Sequence, residues 1–326
     1  MNKQKNNLLS DSPLKMFKST AAIVFLVAIA ISLTVHIRTG NFYTPFHLGT
    51  FARHISFTII VAFGQTLVLL LGGIDLSVAG VAVLCSMVFA LLVTGTTLNP
   101  YFCMLIALAL GFGVGALNGY FIHKLRASPF IATLATGGIC TGIVYVVTMG
   151  RAILGIPASI AILGQGMLFG LIPYPAIIML AIFIILKFVL KYTTYGRHIF
   201  AVGGNELATK IVGVQIGRVK VLTYALCGLL ASVAGTLMVC RLASAQVNIG
   251  EGWVMPSITA VILGGTAMSG GSGGVGGTIV GGLLMGVIST SIILLGIPSH
   301  WETIAMGIVV LVAIAVDCIR RNKQSS

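Results

Sequence analysis

Ten apolar runs, separated by connections that hold nearly all of the charge, leave this sequence one kind of solvent. The runs are Ala21–Ile37, Ile55–Leu71, Leu76–Val93, Tyr101–Ile122, Phe130–Met149, Pro173–Leu190, Val221–Cys240, Pro256–Met268, Val275–Ile297 and Trp301–Ile319. Each is long enough, or nearly so, to cross ~30 Å of hydrocarbon as a helix. In lipid the backbone must be satisfied within its own segment, so helices are the only option for such runs. Of the residues, 57% are hydrophobic and 8% charged, against roughly a quarter charged in a soluble domain. The expected fold is an all-α, polytopic membrane protein of about ten transmembrane helices, with residues 1–326 as a single transmembrane domain. The eighth run is short and is expected to be half of a broken helix or to sit behind its neighbours. Four lysines precede the first run, and no small-x-small cleavage site follows it, so it reads as an uncleaved first helix rather than a signal peptide.

A net charge of +13 raises the question of nucleic acid. The cations lie in short connections rather than on a clustered basic face, which argues against nucleic-acid binding. Their distribution instead orients the chain. With the N-terminus inside and one crossing per run, the inside receives Lys3, Lys5, Lys15, Lys18, Lys124, Arg126, Lys187, Lys191, Arg197, Lys210, Arg218, Lys220, Arg320, Arg321 and Lys323. The outside receives only Arg38, Arg53, Arg151 and Arg241. That asymmetry predicts both termini in the cytoplasm, residues 1–20 as a cytoplasmic tail, and an inner-membrane location.

Three connections are long: 38–54 and 150–172 outside, 191–220 inside. In the last, Gly203-Gly204 is expected to break the chain, Asn205 to cap a helix and Glu206 to sit in its first turn. Ala208 and Lys210 continue that helix until Gly213 ends it. Glycine is otherwise concentrated at Gly72-Gly73 and between Gly264 and Gly282, with Gly111–Gly115 and Gly282–Gly286 at the spacing of close helix packing. Leu71-Gly72-Gly73 followed by Ser77 echoes Leu263-Gly264-Gly265 followed by Ser269, a glycine-interrupted segment in each half, as many transporters carry.

Little chemistry remains. Of six acids, only Asp75 lies between two apolar runs with no other charge nearby, either as a helix cap or as a pathway residue. With Gln65, Ser77, Asn118, Gln246 and Asn248, it makes up the polar candidates for a substrate pathway; Gln65 and Asn118, inside the apolar landscape, are what a mere membrane scaffold would not explain. One intramembrane carboxylate is thin chemistry for a proton- or sodium-coupled carrier. No phosphate-cradling Gly-x-x-x-x-Gly-Lys is present, so the chain lacks a phosphate-binding loop of its own. The six histidines lack metal-ligand spacing, the six cysteines form no CxxC pair, and no nucleophile-with-base constellation is seen. The expectation is a permease that is not an enzyme, holds no cofactor or metal, and receives its energy through the 191–220 loop.

The sequence resembles the membrane permeases of ribose-type ABC importers over nearly its full length. The resemblance rests on Gly73-Ile74-Asp75-Leu76-Ser77-Val78, Gly196-Arg197, and Ala201-Val202-Gly203-Gly204-Asn205-Glu206-x-Ala208 with Gly213. It continues in Tyr224 to Ser232, Arg241-Leu242-Ala243-Ser244-Ala245-Gln246, and Gly264-Gly265-Thr266 with Ser269-Gly270-Gly271. It implies import of a monosaccharide by two permease subunits, two cytoplasmic ATPases and a periplasmic sugar-binding protein that sets most of the specificity. It also implies that Gly203, Gly204, Asn205, Glu206, Ala208 and Gly213 form the coupling element that docks on the ATPase. Two departures stand out: Val254-Met255-Pro256 where many relatives carry Glu-Leu-Asp, and no basic residue in Gly270–Gly274. A branched-chain amino-acid-type permease is the alternative, which Ile74-Asp75-Leu76-Ser77 disfavours.

Overall fold

The computed structural model describes residues 20–298 and 300–325. Its helices are α1 (Thr20–Thr39), α2 (Pro45–Leu70), α3 (Val78–Gly95), α4 (Pro100–Lys124), α5 (Pro129–Thr148), α6 (Ala158–Gln165), α7 (Tyr174–Tyr192), α8 (Thr194–Gly204), α9 (Glu206–Ile211), α10 (Ile216–Leu242), α11 (Val254–Leu263), α12 (Val275–Leu294) and α13 (His300–Ser325). Four two-residue strands complete it: β1 (Ile153–Leu154), β2 (Met167–Leu168), β3 (Ile172–Pro173) and β4 (Ser244–Ala245). β1 pairs antiparallel with β4, Ile153 opposite Ala245, and β2 pairs with β3.

Every apolar run of the sequence is a helix, and the boundaries follow from local chemistry. Proline stands in the first turn of α2, α4, α5 and α7, where its missing N–H has no intrahelical partner to lose. Thr44 and Asn99 cap α2 and α4 through their side chains. Among the described residues, eight helices are long and apolar enough to cross a membrane. The eighth run, expected over Pro256–Met268, is the ten-residue α11, buried between α2 and α12. The connection expected over 38–54 is mostly helix, because Pro45 and the Thr44 cap start α2 ten residues before its apolar stretch.

α2, α3 and α10 are the buried centre, and α4, α5, α7 and α1 surround it with most of their surface outward. Gly111, Gly115 and Gly119 bring α4 onto the backbone of α10, where a β-carbon would collide with Gly228, Tyr224 or Val221. Ser232 Oγ then donates to Ala107 O across the same interface at 2.9 Å. On the other flank, Gly282 and Gly286 of α12 receive Ile59 and Ile55 of α2, beside a Thr66–Thr278 hydroxyl pair at 2.7 Å. Leu105, Leu117, Ile131, Ile139, Ile184 and Phe188 point outward from the surrounding helices. Such contiguous apolar surface belongs against lipid or another subunit.

The helix ends gather in two sets. At one end of the bundle β1 pairs β4, Arg53 Nη2 donates to Gln165 O at 2.9 Å, and Gln165 Nε2 donates to Arg241 O at 3.2 Å. At the other, the ends of α2, α8 and α11 meet the 264–274 turn, and α9 meets the start of α10.

Candidate functional site

The connection at 191–220 is two helices rather than one. Thr193 Oγ1 accepts from Gly196 N at 3.2 Å and starts α8, whose buried face is Gly196, Ile199 and Val202. Gly203-Gly204, expected to break the chain, is instead the last turn of α8. That packing face holds the helix together through two poor helix formers. Gly203 also lies so close to Leu70 O and Gly271 N that any side chain would collide with them.

Asn205 Oδ1 accepts from Ala208 N at 2.9 Å, the expected cap, and Glu206 opens α9. The Glu206 carboxylate takes both its hydrogen bonds from Lys220 Nζ, at 2.9 and 2.8 Å, which ties α9 to α10. Buried Thr209 donates to Ala201 O at 2.8 Å and ties α9 back to α8. Gly213, at φ +84°, ends the element. What remains outside is Ala208 and an unusual apolar face: Leu207 is 77% exposed, Ile211 86% and Val212 76%.

Three glycine segments converge beneath α8. α2 and α11 stop in the same way, each with a left-handed glycine and an i to i−5 amide bond: Gly72 with Gly73 N to Val68 O, and Gly265 with Thr266 N to Val261 O. The two stops are thus equivalent one residue out of the register read from the sequence, Gly72 matching Gly265 rather than Gly264. Gly271 N donates to Leu70 O at 2.9 Å, and Gly270 faces both Gly72 N and Gly203 O. α8 therefore rests on the interrupted segments of both halves.

Just beyond Gly72 lie four of the six pathway candidates, in direct contact. Asp75 Oδ1 accepts from Ser77 N at 2.8 Å and from Ser77 Oγ at 2.6 Å. Asn118 Nδ2 of α4 donates to the same Ser77 Oγ at 2.9 Å. Gln65 of α2 donates through Nε2 to Asp75 O, and Thr133 of α5 accepts from Leu76 N at 3.0 Å. All are buried. Among the described residues Asp75 Oδ2 and Asn118 Oδ1 have no partner. The carboxylate orders the turn into α3. Gln246 and Asn248 are not part of this cluster: both are exposed, in the turns after β4 at the opposite end of the bundle.

That opposite end holds a polar group that nothing in the sequence brings together. Ser289 Oγ of α12 donates to Glu302 Oε1 of α13 at 2.6 Å, beside His54 of α2 and Trp253 before α11. His54 and Trp253 stand about two hundred positions apart, and Ser289 and Glu302 belong to different apolar runs, so no periodic signal links them.

Residues 48–314 match the family described as "Branched-chain amino acid transport system / permease component". Among similar proteins, the ribose import permease of Escherichia coli (strain K12) is 38% identical over 92% of either chain. The ribose import permease of Bacillus subtilis (strain 168) is also 38% identical, over 90% of this chain and 91% of its own. The fructose import permease of Rhizobium meliloti is 30% identical over 92% and 86%. No solved structure matches the chain.

Proposed function

The chain belongs to the family of branched-chain amino acid transport system permease components, and from that membership we propose that it carries a monosaccharide across the bacterial inner membrane as the permease subunit of an ABC importer. Within the family its similarity runs to importers named for ribose and fructose, in keeping with a pentose or hexose as cargo. Separate ATPase subunits supply the energy, a periplasmic sugar-binding protein delivers the sugar, and a second permease subunit completes the pathway. The chain crosses ten times with both termini in the cytoplasm.

The observation that carries this reading is α9: a capped helix, pinned by Glu206–Lys220 and Thr209, that leaves Leu207, Ile211 and Val212 uncovered. An apolar face on a braced, polar-rimmed element is a docking surface. Force applied there passes through Gly203 to the end of α2 and the 264–274 turn. The segregation of helix ends supports the alternating topology, since connections assigned to the same side touch one another.

Proteoliposomes holding the permease, its ATPase and its binding protein test the proposal. Labelled ribose, or another pentose or hexose, should accumulate only with ATP. Accumulation without the ATPase, driven by a proton or sodium gradient, would make the chain a secondary carrier instead.

A further inference from the structure

Between the outer ends of α2, α11, α12 and α13 lies a partly open cavity of about 180 Å³, lined among others by His54, Trp253, Met285, Ser289, Glu302 and Met306. At ~30 Å³ of liquid volume per water it has room for roughly six water molecules, the space of one small polyol ring. Its walls combine two kinds of surface. The buried indole of Trp253 and the two methionines are apolar; Ser289, His54 and the Glu302 carboxylate are polar. Ser289 engages only Oε1 of Glu302. The indole is held from behind: Phe57 lies parallel to it at 6.3 Å and 4°, and the Arg241 guanidinium stands 5.7 Å from the Phe57 ring. A larger cavity of about 710 Å³ shares Gly252, Pro256, Glu302 and Met306 with it and provides a way in.

We infer that this cavity is a transient binding site for one neutral monosaccharide at the outer end of the pathway. A sugar offers several O–H donors to a carboxylate and an apolar C–H face to an indole, the pairing these walls present. An α-amino acid or a sugar phosphate fits the walls poorly. No lysine or arginine lines the cavity to receive its anionic group, and Glu302 repels it. The site rests on the monosaccharide reading above and names residues for it that are not part of the Asp75 cluster.

The full-length permease in detergent provides a direct readout, because the chain has two tryptophans. Trp301 is exposed and outside the cavity lining, so Trp301→Phe leaves Trp253 as the reporter. D-ribose, with further pentoses and hexoses as probes, should shift Trp253 emission saturably, and leucine and ribose 5-phosphate should not. Glu302→Ala should weaken the response roughly tenfold or more, the loss expected when hydrogen bonds to a charged group are removed. Glu302→Gln keeps an acceptor for Ser289 and serves where alanine fails to fold. Trp253→Phe, read by binding of labelled sugar, should weaken it as well. A response to leucine, an unchanged response in both Glu302 variants, or silence toward sugars that the assembled transporter imports would each overturn the site while leaving the importer standing. Import failure of every sugar by the wild-type assembly would instead remove the monosaccharide reading itself.

Discussion

At the scale of single residues, Asp75 separates a structural carboxylate from a transporting one. Its Oδ1 accepts two hydrogen bonds from Ser77, which themselves need an acceptor but not a charge. Asp75→Asn keeps that acceptor, so uptake of labelled sugar should persist. Asp75→Leu leaves the Ser77 donors unpaired in a dry interior, at a cost of about 1–3 kcal/mol, and should lower both expression and uptake. Loss of uptake in the Asn variant at normal expression would assign the charge itself to the pathway. Glu206 is a milder case. Its bond to Lys220 is half in solvent, so the pair contributes under ~1 kcal/mol; Glu206→Lys should reduce coupling without unfolding the chain, checked by ATPase co-purification beside uptake. Both acids were legible as single polar letters among apolar or small neighbours. Their partners were not: Asn118 reaches Ser77 across 41 positions, and Lys220 reaches Glu206 from another helix. Gln246 and Asn248 were picked by polarity as well, and the fold places them elsewhere.

At the scale of elements, α9 was readable because capping is local: Asn205, Glu206 and Gly213 announce its two ends within nine residues. α8 was not, since Gly203-Gly204 looks like a breaker until the backbones of Leu70 and Gly271 are seen against it. That contact makes Gly203 a test of force transmission. Gly203→Val must displace backbone rather than a flexible side chain, costing typically ~1–3 kcal/mol or more. Transport should fall even where the ATPase still co-purifies. Ala208 tests the docking surface instead. It stands outside, on the element that carries Leu207 and Ile211, and contributes nothing to the core. Ala208→Trp should therefore fold and insert normally while abolishing uptake and ATPase association together. Normal values for Ala208→Trp in both assays would return α9 to the status of a solvated linker. Different failures at two positions five residues apart in the chain would separate holding the ATPase from passing on its motion.

For the whole molecule, the charge asymmetry and the three-dimensional contacts are independent arguments for the same alternation. The proposed topology puts the cation-rich connections inside, and the structure shows which connections touch one another. Arg53, Arg241 and the β1–β4 pair cluster at one end, Lys210, Arg218 and Lys220 at the other. The weak step is α11, whose ten residues rise only ~15 Å at 1.5 Å each, about half the hydrocarbon thickness. The glycine turn of 264–274 that follows packs its backbone against α2 and α8 but leaves Ser269, Ser272 and Gly273 exposed. Apolar length alone could not resolve that segment, because the turn's partners come from elsewhere in the chain. Cysteine labelling decides it. Gln246 and Gln215 are both exposed, at opposite ends of α10, and the five described native cysteines are buried. In intact spheroplasts a membrane-impermeant maleimide should modify Gln246→Cys and spare Gln215→Cys, with Gln215→Cys reacting after lysis. A third probe at Ser272, in the turn beyond α11, should behave like Gln215. Labelling of Ser272→Cys from outside would mean that α11 enters and returns on one face, and the count of crossings would fall with it.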